Sequence, residues 1–147
     1  MGLREDLIAC LNGLIETCRD AENGFQTAAD HVSDPDLKKF LTQCSEQRAQ
    51  FASELQSEVR QLGAMPAQSG SVSTAFDGGW ISIESTVRGG SDELIVAECG
   101  RREDAAIENY LRVLEQSLPP NVLPVVKHQL TEIKRSHDSL KGLEEAA

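Results

Sequence analysis

Four residues put polar chemistry where the stripe of a helix calls for an apolar side chain: Glu22, Arg48, Glu103 and His137. Two carboxylates and an imidazole are donors that suit iron or another divalent metal when they converge in a dry core. A guanidinium in the same place has the opposite effect, because it compensates carboxylates permanently while repelling a divalent ion. Dimetal helical bundles place one Glu on each of two helices and a Glu-x-x-His pair on each of the other two. No Glu-x-x-His occurs here: the residue three before His137 is Lys134, and the second helix offers Arg48 instead of a ligand. The favoured expectation is therefore a buried polar layer without a cofactor, in which Arg48 compensates Glu22 and Glu103 and His137 completes a hydrogen-bonded set. The competing expectation is a metal site built from Glu22, Glu103 and His137.

Four amphipathic helices have to carry these residues. Leu7, Leu11, Leu14, Cys18, Ala21, Phe25, Ala28 and Val32 alternate in steps of four and three, which puts them on one face of a first helix over about residues 3–32. Glu22 sits in the flanking series Ile8, Ile15, Glu22, Ala29, one step from that seam. Ser33-Asp34-Pro35 supplies a cap and a proline suited to the first turn of the next helix. A second stripe follows over 35–62, from Leu37, Leu41 and Cys44 through Arg48, Phe51, Leu55 and Val59 to Leu62, with Gly63 as its stop.

From Gly63 to Gly90 the chain turns to Gly, Ser, Pro and Thr, yet Val72, Phe76, Trp80, Ile83 and Val87 keep near-helical spacing. This predicts a crossover over 63–91 containing a short helix weakened by Gly78-Gly79, with Trp80 packed on the bundle. Ser91-Asp92-Glu93 opens a third helix, to about 118, with Val96, Gly100, Glu103, Ile107, Tyr110 and Leu114 on its seam. After Pro119-Pro120, Val126, Leu130, Ile133, His137 and Leu140 mark a fourth helix over about 120–143. Two hairpins joined by one long crossover make the whole chain, 1–147, a single all-α domain with the connectivity of a ferritin-like four-helix bundle.

Depth can be counted from the turns at about 1.5 Å per residue. Glu22 and Arg48 lie twelve residues before and fourteen after Asp34, Glu103 lies eleven past Asp92, and His137 is eighteen past Pro119. All four fall within about a turn of one level. His31 suits the negative end of the first helix, and His128 points about 200° away from Val126, toward solvent. Glu16, Glu46, Glu98 and Glu108 lie off the seams and are expected on the outer face. Tyr110 is expected to pack in the core.

Acidic residues outnumber basic ones 24 to 14, a net charge of -10, with no basic stripe to neutralise phosphates, so nucleic acid and membrane are not expected partners. No apolar run is long enough to span a bilayer and Met1 to Asp6 shows no signal core, which places the protein in the cytoplasm. The four cysteines, Cys10, Cys18, Cys44 and Cys99, form no CxxC pair and read as reduced core thiols. No nucleophile motif is present.

In order along the chain, Leu11-Asn12-Gly13-Leu14-Ile15-Glu16, Gly24-Phe25, Asp34-Pro35, Gln47-Arg48-Ala49-Gln50-Phe51, Gly79-Trp80 and Ser136-His137-Asp138 resemble a bacterial family described as a ferritin-like four-helix-bundle domain of unknown function. The resemblance spans nearly the whole chain. It implies the bundle and a bacterial cytosolic setting, and it implies no reaction. The leading expectation is a non-catalytic bundle that self-associates into a homo-oligomer, with a role in stress or storage physiology. A metal-binding oxidoreductase or metal-storage protein is the alternative, and a partner-binding module presenting the crossover and Trp80 is a third.

Overall fold

The computed structural model describes residues 3–68 and 87–146. Four long helices account for most of them: α1 (Leu3–His31), α2 (Pro35–Gln61), α3 (Asp92–Leu114) and α4 (Leu123–Ala146). The described residues contain no strand, and none of their helices is long and apolar enough to cross a membrane.

The helix ends follow from local chemistry. Asp34 caps α2 by accepting the Asp36 N–H, with Pro35 in the first turn. At the other end Gly63 takes a positive φ of 81°, its N–H donates to Arg60 O, and the Ala64 N–H reaches Val59 O. That pair of bonds closes a Schellman cap, which only glycine enters without strain. Ser91 caps α3 through the Leu94 N–H. The third helix stops at Leu114 rather than near 118, because the residue before Pro119 is driven out of the helical region and frays the turn before it. Pro119 O then accepts the Val122 and Leu123 N–H groups to start α4, which runs on to Ala146.

Helix α1 packs along α2, α3 along α4, and the hairpins meet through α1 against α3 and, more lightly, α2 against α4. Helices α2 and α3 are therefore diagonal neighbours. Both carboxylate oxygens of Asp92 accept backbone N–H groups of Ser33 and Asp34, so α3 begins beside the α1–α2 turn. Asn121 donates to Glu58, so the α3–α4 turn lies beside the last part of α2. Directions consequently run up, down, down, up, and α2 ends at the opposite end of the bundle from the start of α3. Residues 64–68 leave along α1 and α2: the Ala67 N–H donates to Asn12 Oδ1 and the Gln56 amide donates to Ala67 O. Trp80 and most of the short helix expected within the crossover lie outside the described residues; the last of the crossover, 87–89, is helical, and Val87 packs against the core cluster that holds Leu37 and Leu140.

The core divides in two along its length. One cluster gathers Leu11, Leu14, Phe51, Leu55, Tyr110, Val126 and Ile133; the other gathers Phe25, Ala28, Leu37, Leu41, Ile95, Cys99 and Leu140. Arg48 falls in the boundary on α2, between Cys44 and Phe51, and Glu103 falls in it on α3, between Cys99 and Ala106. At this boundary the stripe periodicity puts polar side chains on the axis of the bundle.

Candidate functional site

Arg48 and Glu103 are the most buried charges described, 1% and 0% exposed. Arg48 Nη1 and Nη2 donate to Glu103 Oε1 and Oε2, each at 2.6 Å, a bidentate fork that uses both carboxylate oxygens. Arg48 Nε donates to Gln47 Oε1 at 3.2 Å. The guanidinium carbon lies 5.3 Å from the ring centroid of Phe25, adding a cation–π contact from α1. Burial works against the Arg48 charge, but the Glu103 carboxylate outweighs it and holds the guanidinium more firmly protonated than in water.

Glu22 and His137 do not join this pair, which corrects the expected four-membered layer. Glu22 shares its level but, one step off the seam, turns outward and accepts from Arg19 Nη1 at 2.8 Å with its side chain 31% exposed. On α4 the inward position is taken by Ser136, which is buried, while His137 turns to the flank. There its Nε2 lies 2.7 Å from Asp104 and its Nδ1 3.3 Å from Asp138. Residues three and four past Ile133 straddle the helix seam at about 60° to one side and 40° to the other, so the rotation of α4 in the bundle decides which one points in. His137 and Asp104 line an open groove of about 360 Å³ between α3 and α4, together with Gly100, Arg101, Lys141 and Glu144.

The donor set therefore does not fit the metal centre considered above. Glu103 has both oxygens engaged by a fixed cation, and Glu22 and His137 are committed to separate surface pairs. Among the described residues, no three His, Cys, Asp or Glu side chains are placed to hold an ion together.

Two turns past Glu103 on α3, within the core cluster of Leu11 and Phe51, lies a polar chain that periodicity marks only by Tyr110. Tyr110 Oη donates to Gln129 Oε1 at 2.7 Å and lies 3.1 Å from Cys18 Sγ. Since its single proton goes to Gln129, the Cys18 thiol is the donor to the phenol oxygen. The Gln129 amide donates onward to Phe51 O and to Glu54 Oε1, at 3.2 and 2.9 Å. Tyr110 and Gln129 are fully buried, and every helix contributes to the chain. Burial pushes Tyr110 well above the usual phenol range. Gln129 is on no list of candidates from the sequence, because one glutamine in an amphipathic helix looks like any surface residue.

Glu98 is a second correction. Expected on the outer face, it is only 3% exposed and is held by Arg101 and Arg102 from the following turn. Two arginines three and four residues on make this the one acid of α3 with a double helical partner, a signal that was present in the spacing. His31 Nδ1–H donates to Thr27 O on the surface, and His128 is exposed, its ring in a T-shaped contact with Phe51.

Cys18, Cys44 and Cys99 are buried free thiols and Cys10 is half-buried. Burial pushes Cys18 up to about 11 and Cys44 up to about 12, and raises Cys99 further, so these thiols stay protonated and inert as nucleophiles at neutral pH. Residues 6–116 match the family described as a domain of unknown function, DUF2383. No curated protein matches the chain.

Proposed function

We propose, from the premise that the chain belongs to the DUF2383 family of domains of unknown function, that it is a non-catalytic bundle of ferritin-like type that acts by association. The observation that carries this reading is the Arg48–Glu103 fork. It occupies the central position between the diagonal helices and leaves no carboxylate oxygen there to coordinate or to move a proton. The up, down, down, up order of the helices supports the ferritin-like description. Self-association is part of this reading, and Leu111, 46% exposed on α3, is an apolar side chain that an assembly would cover. A bacterial cytoplasmic setting is what the family resemblance implies, and a place in stress or storage physiology rests on analogy with the fold alone.

Elemental analysis of protein expressed in metal-supplemented medium tests the core. The wild type is expected to carry little iron, manganese or zinc. Near-stoichiometric metal, whose removal by a chelator lowers the melting temperature, would overturn the reading. Light scattering tests association: the expected molar mass is a whole multiple of one chain, and a strict monomer at all concentrations contradicts it.

A further inference from the structure

The end of the bundle where α2 and α3 begin carries two grooves of about 220 and 390 Å³ that share Asp34, Leu37 and Leu143. Their apolar lining comes from Leu37, Phe40, Val96 and Leu143. Leu143 is 42% exposed, and Leu94, next to the groove residue Glu93, is 57% exposed. The charged lining is of one sign: Asp34, Asp36, Asp92, Glu93 and Glu144, with no Lys or Arg in either groove. We propose that this face docks a cationic amphipathic segment of a partner protein, with apolar side chains one helical turn apart entering the grooves and Lys or Arg meeting the rim.

Charge decides between occupants. Two helices start at this end and two finish, so their dipoles oppose one another in pairs and the carboxylates set the local field. Two of those carboxylates are held in place by backbone donors, Asp92 by Ser33 and Asp34, and Asp34 by Asp36. Lys39 and Arg88 line neither groove, and two further bases have other placements. Lys38 donates to Ala29 O, and Lys141 lines the separate groove between α3 and α4, where Glu144 also faces Arg101. A second copy of this chain, at net charge -10, is a poor complement, and residues 69–86 carry Asp77 and Glu84 but no base. An oppositely charged partner gains both steering and contact from such a rim.

This inference rests on the reading of the chain as one that acts by association; metal content and light scattering test that reading, and the following experiment tests the face alone. The probe is a fluorescein-labelled synthetic helix with Leu at i and i+4 and Lys at the remaining outer positions, titrated with the full chain and read by anisotropy. A second peptide carries Glu in place of every Lys. Gly142 lines the larger groove and a Cβ there would meet nothing within 4 Å, so Gly142→Trp places bulk at the groove. The Lys peptide is expected to bind and the Glu peptide not. Affinity should fall about tenfold or more in Gly142→Trp and in Asp36→Asn/Glu93→Gln, and change by less than about twofold in the distant Glu46→Gln/Glu108→Gln. Circular dichroism confirms that each variant is folded. Failure of the Lys peptide to bind, equal losses in the near and distant variants, or indifference to Gly142→Trp would each overturn the proposal, the second by showing diffuse attraction to an acidic protein.

Discussion

Arg48 and Glu103 face each other across the diagonal of the bundle, joining α2 to α3 through two bonds of 2.6 Å with neither side chain reached by solvent. The helices that carry them are diagonal to one another, so this fork, with the Asp92 bonds to the Ser33 and Asp34 N–H groups at the end of the bundle, ties their relative depth. Desolvating both ions is costly, and their attraction roughly offsets that cost; removing one partner strands the other. Arg48→Met should therefore lower stability by ~3–5 kcal/mol in urea unfolding, whereas Arg48→Met/Glu103→Leu should recover most of it. A single variant as stable as the wild type would mean that the pair is not dry.

The polar chain at Tyr110 makes a second energetic claim. Tyr110→Phe removes the donor to Gln129 Oε1 and the acceptor of the Cys18 thiol, leaving two buried groups unmatched at a cost of ~1–3 kcal/mol. Adding Gln129→Leu to that variant should cost less than Gln129→Leu does in the wild type, because the two side chains belong to one network. Strict additivity in the double-mutant cycle would show that they act independently.

Thiol chemistry should separate the cysteines by depth. Cys10 is half-buried while Cys18, Cys44 and Cys99 are enclosed. With an aromatic disulfide reagent near neutral pH, native protein should titrate as a single slow thiol, and Cys10→Ser should abolish that phase. The remaining thiols should appear only in denaturant.

Alkali should destabilise the fold. Burial raises the Cys18 thiol to about 11 and Cys44 to about 12, against about 8.5 in an unfolded chain. For an acid whose folded pKa is raised, the unfolded state loses its proton first, so the stabilisation is complete below the unfolded pKa and is lost as pH rises toward the folded one. The urea midpoint is expected to hold to about pH 8 and then decline up to about pH 12. Cys18→Ala should make the decline shallower; a flat profile in the wild type would show that the thiols are hydrated.

Periodicity alone determined the helices, because a stripe repeating every three to four residues has one way to reach a shared core. Leu11, Leu14, Phe25, Leu41, Leu55, Ile133 and Leu140 are all fully buried, and the caps at Asp34, Gly63 and Ser91 are local chemistry specified by their immediate neighbours in the chain. Depth along the bundle was legible too, since rise per residue is constant, and it brought Arg48 and Glu103 to one level. What tertiary structure decided was rotation. A residue one step from a seam lies about 100° away from it, so whether Glu22 or Ala21, His137 or Ser136, points inward depends on how each helix turns to satisfy all its neighbours at once. The same holds for Gln129, whose partners lie on other helices, and for the acidic end face. That face exists only because the turn at Asp34, the start of α3 and the last turns of α4 are brought together from distant parts of the chain.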